Sequence, residues 1–126
     1  RSSQNFAAAL CSQLKLPVPG QSRTTETAVM AMVEKFKAET TTRGVLVTPD
    51  VEVALCLANR VACVRAISVN HPQRLHKAML DIGANLFVID PGQHSQESLV
   101  EGCKMFLAMP KLKASRLFDD VSQRLV

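Results

Sequence analysis

Two side chains that can transfer protons each follow a predicted strand of this sequence, Asp50 and His71. Asp50 comes two residues after the run 44–48, and His71 two residues after the run 63–69. A carboxylate and an imidazole are common general bases and acids in catalysis. If both strands belong to one parallel sheet, both side chains lie at its carboxyl edge, where open α/β sheets bind ligands. Asp50 is therefore a candidate base, and His71 a candidate acid.

Both residues also have a structural explanation. Asp50 stands where the N-cap of a helix is expected, as does Ser95 farther along the chain. His71 precedes a proline in an ordinary strand-to-helix turn. The other two histidines, His76 and His94, are expected on the surface.

The elements that must position these residues alternate from residue 44 onward. Strands are predicted at 44–48, 63–69 and 84–89, and helices at 51–60, 72–82, 95–108 and 114–125. Parallel strands need a crossover of a dozen or so residues, which this spacing supplies. The pattern predicts an α/β fold with a parallel sheet and right-handed connections.

The first forty residues predict two further helices. Apolar residues recur at helical spacing within residues 5–16, and the proline-rich residues 17–22 read as a connector. A second helix is predicted from Thr24 or Thr25 to about residue 40. The first helix is expected to pack on the edge of the sheet, although a docking segment on a tether would show the same spacing.

Length and charge restrict the class of protein. The 126 residues, 47% of them hydrophobic, are expected to form a single domain. The net charge of +4 is dispersed, and its one loose group, formed by Lys104, Lys111, Lys113 and Arg116, is explained by a solvated helix face. Five Phe with no Trp or Tyr argue against stacking on nucleic acid. No run approaches the length of a membrane span, so we expect a cytoplasmic protein.

Four cysteines lie in or beside apolar runs and form no C-x-x-C pair: Cys11, Cys56, Cys63 and Cys103. This pattern favours buried thiols in a reducing compartment over a disulfide framework or a zinc site. No metal site is predicted.

Four stretches of the sequence resemble one family of enzymes. They are Arg43-Gly-Val-Leu-Val47, Leu57-Ala-Asn-Arg-Val61, Val64-Arg-Ala66 and Ala84-Asn-Leu-Phe-Val88. In this order and register they resemble the type B ribose-5-phosphate isomerase and galactose-6-phosphate isomerase family. A weaker match continues through the helices at 24–38 and 95–108. Residues 1–23 match poorly, and the first strand of the family and its Asp-His turn have no counterpart, as if the protein lacked that strand or the chain were a trimmed fragment.

The resemblance implies a Rossmann-like three-layer αβα sandwich with a parallel sheet, assembled as a dimer or tetramer. It also implies interconversion of an aldose phosphate and a ketose phosphate through an enediol, without a cofactor. In the family, a cysteine base ends the strand before a Gly-Thr-Gly loop. Here the cysteine position falls on Thr48, and the loop becomes Pro49-Asp-Val51. Threonine is far harder to deprotonate than a thiol, and Pro49 has no N–H to donate to an oxyanion.

Other positions that the resemblance marks as functional also differ. The histidine for ring opening falls on Asp81, and the asparagine after it on Ile82. One phosphate-binding arginine matches Arg116, whereas the other becomes Asp119 or Asp120. An acidic residue beside a phosphate site opposes binding.

Two functions follow from the sequence. The replacement of the family's functional residues favours a member of the family that is catalytically degenerate. Such a protein would act as a binding or assembly protein, for example with an active paralogue. The alternative is an active isomerase with Asp50 as base and His71 as acid. In either case Thr48, Asn59 and Arg116 are the candidate substrate-binding residues. A concave pocket at Thr48 with Arg116 from a neighbouring subunit would favour the enzyme, and a filled turn the binding protein.

Overall fold

The computed structural model describes residues 24–39, 43–93, 95–108 and 115–125. Its elements are α1 (Thr25–Lys37), β1 (Gly44–Val47), α2 (Val51–Ala58), β2 (Ala66–Ile67), α3 (Pro72–Ile82), β3 (Leu86–Ile89), α4 (Gln96–Ala108) and α5 (Arg116–Arg124). The helix predicted at 5–16, the connector at 17–22, and Cys11, His94, Lys111 and Lys113 lie outside the described residues.

The three strands form one parallel sheet in the order β1-β3-β2. The connection from β1 through α2 to β2 crosses over β3. The connection from β2 through α3 then leads back to β3. Right-handed connections that run in opposite directions place their helices on opposite faces of a sheet. The helices are found in this arrangement, since α2 and α3 pack in different hydrophobic clusters. The predicted three-layer α/β fold is confirmed.

The two clusters share β3 through the alternation of its side chains. Leu86 and Val88 pack with α1 and α2, whereas Phe87 and Ile89 pack with α3 and α4. All four side chains are buried, as expected for the central strand of a sheet covered on both faces. The carboxyl ends of the strands are thereby fixed against both helical layers.

Several predicted boundaries have their expected chemical causes. The Oγ1 atom of Thr24 accepts the Thr27 amide at 3.1 Å, and Ser95 caps α4 through the Ser98 amide at 3.1 Å. The helix α3 ends at Gly83, whose φ of 66° is easily adopted only by glycine. The prediction of an N-cap at Asp50 is correct for the position but wrong for the bond, since its side chain makes no capping hydrogen bond.

The prediction of buried thiols is wrong for two cysteines. Cys103 is fully buried, but Cys56 and Cys63 are exposed. Helix geometry explains the exposure of Cys56. Ala54 and Ala58 are buried on the inner face of α2, and Cys56, midway between them, points the opposite way on a helix of 3.6 residues per turn. The described residues contain no group of three or more His, Cys, Asp or Glu that could hold a metal ion. None of the helices described is long and apolar enough to span a membrane.

Candidate functional site

The turn after β1 is built around the hydroxyl of Thr48. This residue is only 4% exposed, and its Oγ1 atom lies 2.7 Å from the Oγ1 of Thr25 on α1. Thr25 donates its hydroxyl proton to the Asp50 carboxylate at 2.9 Å, so Thr48 must be the donor in the bond between the two threonines. Thr48 also accepts the Asp50 amide at 3.1 Å. Its hydroxyl is therefore already engaged as both donor and acceptor.

Asp50 has its carboxylate turned towards α1. It occupies the N-cap position of α2, but it bonds the hydroxyl of Thr25 rather than an amide of its own helix. The contact ties the start of α1 to the turn between β1 and α2. The sequence brings Thr48 and Asp50 together as predicted, and the structure shows this turn filled by hydroxyl groups.

His71 also lies at the carboxyl edge of the sheet, but β3 separates it from Asp50. It occupies the N-cap position of α3 and lines a small depression with a volume of about 20 Å³, room for roughly one water molecule. Phe87 and Leu99 contribute apolar lining, and Ser98 is a polar lining residue. Since β3 separates β1 from β2, the strands that lead to Asp50 and His71 are two strand spacings apart, roughly 10 Å. No hydrogen bond between the two side chains is found.

Asn59 lies at the C-cap of α2 and pairs with a strand backbone. Its Nδ2 atom donates to the carbonyl of Ala66 at 3.0 Å, and its Oδ1 accepts the Ala66 amide at 2.7 Å. Both functions of the amide are thus used in fixing β2 to α2. The structure places this candidate binding residue in a structural role, at the start of β2 and away from the carboxyl edge.

Asn85 has the same role before β3. Its Oδ1 atom accepts the Arg65 amide at 2.7 Å, and its Nδ2 donates to the carbonyl of Cys63 at 2.9 Å. Asn59 and Asn85 belong to two of the sequence stretches that carry the family resemblance. In these two stretches, the asparagine therefore holds the backbone beside β2 in place, which is a structural role.

Arg116 opens α5, which lies at the amino edge of the sheet. Arg65, directly before β2, contacts α5 through its guanidinium, which lies 3.0 Å from the Asp119 carboxylate and 5.4 Å from the centre of the Phe118 ring. The same guanidinium donates to the Ile82 carbonyl at 3.0 Å. A four-residue strand spans roughly 13 Å, so α5 and the Thr48 turn are at opposite ends of the sheet.

Asp81, the position of the family's histidine, also lies at the amino edge. Its carboxylate pairs with Lys77 at 2.6 Å on the surface of α3, and its carbonyl accepts the Ser115 amide at 3.2 Å. It is thus engaged in joining α3 to α5. The structure brings Asp81 close to α5 and separates it from Thr48.

Two polar residues at the carboxyl edge were missed by sequence reasoning, Thr25 and Asp90. Asp90 follows β3, and its carboxylate accepts the Gly92 amide at 2.8 Å. A charged residue directly between the apolar run 86–89 and a Pro-Gly turn was a usable signal for it. Nothing local marked Thr25, because its partners are 23 and 25 residues away.

Comparison with known proteins places the fold. No family model matches the sequence, and no curated protein matches it. Among solved structures, a ribose 5-phosphate isomerase RpiB from Thermotoga maritima is similar with a TM-score of 0.75 at 16% identity, over 96% of this chain and 87% of that chain. The type B ribose 5-phosphate isomerase of Trypanosoma cruzi is similar with a TM-score of 0.71 at 15% identity, over 98% of this chain and 84% of that chain.

A third similar structure is ribose-5-phosphate isomerase B from Mycoplasma genitalium with bound ribulose-5-phosphate. Its TM-score is 0.69 at 13% identity, over 98% of this chain and 86% of that chain. The three likenesses confirm, at the level of fold, the resemblance seen in the sequence. At these identities they show the fold alone, and the chemistry of the site must be argued from its own residues.

Proposed function

We propose that this chain is a catalytically degenerate relative of the sugar-phosphate isomerases whose fold it shares, and that it acts as a binding or assembly protein. The observation that carries the proposal is the filled turn after β1. There, a buried hydroxyl with both of its hydrogen-bonding functions engaged stands where the family resemblance implies a catalytic thiol.

Enediol chemistry needs a base that takes a proton from carbon. Thr48 cannot supply one, because a hydroxyl is much less acidic than a thiol and this one is held between Thr25 and the Asp50 amide. The same turn lacks an amide donor at Pro49. The thiol base that the resemblance implies and one amide donor of the loop are therefore missing from this turn.

The charges at the carboxyl edge also oppose a phosphate ester. Asp50 and Asp90 both lie there, and the hydrogen bonds described for their carboxylates come from neutral donors, a hydroxyl and an amide. Two carboxylates with neutral partners place negative charge at this edge, and that charge repels an anionic ligand at close range. Arg116 is at the opposite end of the chain's own sheet, so it can contribute to such a site only from another copy.

The proposed role implies association with other subunits in the cytoplasm. We propose a homodimer or homotetramer, with an active paralogue as a further partner. A sugar phosphate is the small ligand to test first, because the chain shares its fold with the ribose 5-phosphate isomerases described above. Nucleic acid and membrane are not proposed as partners.

One observation favours the alternative of an active isomerase. Asp50 and His71 are both exposed at the carboxyl edge, and His71 lines the depression beside β2. A substrate that spans β3 could contact both side chains, with Asp50 as the carbon base and His71 as the acid. The two functions therefore differ in whether a sugar phosphate binds here and is converted.

The test is a titration combined with an assay. The labelled full chain is titrated by NMR with ribose 5-phosphate, ribulose 5-phosphate, allose 6-phosphate, galactose 6-phosphate and inorganic phosphate, and conversion of each sugar is followed. We expect no conversion. Saturable shifts without conversion would identify a sugar-phosphate binding protein. Conversion that is lost in Asp50→Asn and His71→Asn but kept in the surface control Glu34→Gln, at an exposed position of α1, would overturn the proposal.

A further inference from the structure

The two edges of the sheet differ in how their backbone groups are used. At the edge formed by β2, the outward amide and carbonyl of Ala66 are both bonded by the side chain of Asn59, at 2.7 and 3.0 Å. A side chain that takes both groups leaves no place there for a further strand. Blocking of this kind is one way in which proteins stop the edge of a sheet from pairing with another chain.

The edge formed by β1 has no such block among the described residues. The amides of Gly44 and Thr48 donate to β3 at 2.9 and 2.8 Å. Because residues alternate in direction along a strand, the amides and carbonyls of Val45 and Val47 point away from β3. No described strand lies beyond them, and no hydrogen bond between described residues uses them. We call these outward amides and carbonyls the β1 edge.

Helix α1 covers one face of the sheet as far as this edge. Thr25, at the start of the helix, bonds the hydroxyl of Thr48 at the carboxyl end of β1. Farther along the helix, the sulfur of Met32 lies so close to Gly44 that an added Cβ atom would come within 2.8 Å of it. The helix therefore runs along the whole of β1.

Helix α4 reaches the same strand on the other face. Arg43 donates to the carbonyl of Phe106 at 2.9 Å, which holds the end of α4 beside the start of β1. The side chains of Val45 and Val47 are half-buried against the hydrophobic cluster of this face. A strand added beside β1 would therefore meet apolar side chains on both faces of the sheet.

We propose that the β1 edge binds an extended strand of another polypeptide, which continues the sheet through hydrogen bonds to Val45 and Val47. In this mode of recognition the main chain supplies affinity and the side chains supply specificity. The partner segment is uncharged and apolar at successive positions, because both of its faces are covered. The strand β3 is an example from this chain, since it pairs with β1 and all four of its side chains are buried. The inference rests on the proposed role as a binding or assembly protein and names the surface used.

The probe is a synthetic peptide with the sequence of residues 85–90, Asn-Leu-Phe-Val-Ile-Asp, extended by lysines at both ends for solubility. The labelled full chain is titrated with this peptide and followed by NMR. We expect saturable binding with a dissociation constant below about 1 mM. In the complex, the amides of Val45 and Val47 should exchange with deuterium at least about tenfold more slowly. The amide of Leu46, which faces β3, should exchange slowly in both states.

A proline at the outward position tests the surface directly. Val47→Pro removes an outward donor and keeps the bonds to β3, because proline is tolerated where a strand N–H points away from the sheet. It should weaken peptide binding at least about tenfold, since the ring also obstructs the incoming strand. The matched control is Ser68→Pro at the opposite edge, two residues after Ala66, which should leave binding unchanged. Far-UV circular dichroism checks the fold, and Val45→Pro replaces Val47→Pro if that variant is unfolded.

Other occupants of the β1 edge would give different results. Protection of the Val45 and Val47 amides in the free chain would overturn the proposal, because the edge would already be filled. Protection that disappears on dilution would identify a second copy of the chain, and protection that persists would identify residues of the same chain.

The peptide titration also decides against the proposal in two cases. It is overturned if no saturable binding is found, or if Val47→Pro binds the peptide as tightly as the unmodified chain. Conversion of sugar phosphates, measured in the same samples, separates this inference from the proposed function. Conversion would overturn the proposed function whether or not the peptide binds, whereas an inactive chain that binds no peptide would overturn only the strand-binding role of the β1 edge.

Discussion

The hydroxyl of Thr48 connects three parts of the chain: the end of β1, the start of α1 and the start of α2. Replacing Thr48 by valine keeps the shape but removes the bond to Thr25 and the acceptor of the Asp50 amide. We expect Thr48→Val to lower the free energy of unfolding by about 1 to 3 kcal/mol, since polar groups at a buried position lose their partners. Urea denaturation measures this change.

The control for Thr48→Val is Thr27→Val, because the hydroxyl of Thr27 makes only an exposed bond to Thr24. That substitution should change the free energy of unfolding by less than about 0.5 kcal/mol. Equal effects of the two substitutions would show that the hydroxyl cluster does not stabilise the turn.

Asn59 provides a second prediction about a single residue. Its side chain makes two hydrogen bonds to the backbone of Ala66, so Asn59→Ala leaves the edge of β2 without these partners. The expected cost is about 2 kcal/mol, from two neutral hydrogen bonds of about 1 kcal/mol each. Asn70→Ala, at an exposed asparagine in the loop after β2, is the matched control and should be near neutral. If both variants unfold at the same urea concentration, Asn59 has no structural role.

The asparagines explain why one element was predicted too long. Apolar residues predicted a strand over 63–69, but β2 covers only Ala66–Ile67. Before it, Asn85 bonds the carbonyl of Cys63 and the amide of Arg65, so a side chain takes the place of a neighbouring strand. Propensity registers the preference of a segment for extended backbone, but it cannot register a partner that lies 20 residues away. The helix at 72–82 was predicted correctly because its proline start and glycine end are local signals.

The glycine that ends α3 gives a prediction at the scale of an element. Gly83 has a φ of 66°, a conformation that costs any residue with a Cβ atom about 1 kcal/mol or more. Gly83→Ala should therefore lower the melting temperature by several degrees in differential scanning calorimetry. Gly102→Ala is the control, because Gly102 does not have a positive φ and a Cβ added there would meet Phe87 at an ordinary contact distance of 3.6 Å. A loss of melting temperature at Gly83 no larger than that at Gly102 would contradict the argument.

The attachment of α5 depends mainly on Arg65. This side chain supplies the ion pair to Asp119 and the contact with Phe118, and its replacement by methionine keeps much of the apolar bulk while removing the charge. Because both partners are partly exposed, the effect on global stability should be small. The local effect should be clear: amides of α5 exchange with deuterium about tenfold faster in Arg65→Met, whereas amides of β3 are unchanged. The control, Arg74→Met on the surface of α3, should alter neither set.

At the scale of the whole molecule, the fold was predictable and the site was not. The alternation of apolar runs and helical segments is repeated over residues 44–108, so errors in single boundaries do not change the architecture. The relation of Asp50 to Thr25, or of α5 to Arg65, depends on pairs far apart in sequence. No spacing rule covers such pairs. The strand order β1-β3-β2 likewise could not be predicted from spacing. It places β3 between the strands that lead to Asp50 and His71, so the two side chains share the carboxyl edge but are not adjacent.

The two hydrophobic clusters should unfold as one unit because they share β3. Leu86 packs on one face of the strand and Phe87 on the other, and both are buried. Truncating either side chain to alanine should cost about 2 to 5 kcal/mol. The buried thiol of Cys103, which belongs to the cluster of Phe87, reports on opening of that face. If the clusters are coupled, Leu86→Ala should accelerate the labelling of Cys103 by a thiol reagent, although Leu86 belongs to the other cluster.

Labelling followed by mass spectrometry at increasing urea concentration makes this measurement site by site. The exposed Cys56 and Cys63 provide an internal control, since their reaction should be fast in every variant. Each 1.4 kcal/mol that Leu86→Ala removes from the free energy of unfolding should raise the labelling rate of Cys103 about tenfold. If Cys103 responds to Phe87→Ala alone, the two faces open independently. The parallel sheet would then separate two cores, whereas the alternation of four buried side chains on β3 predicts a single cooperative core.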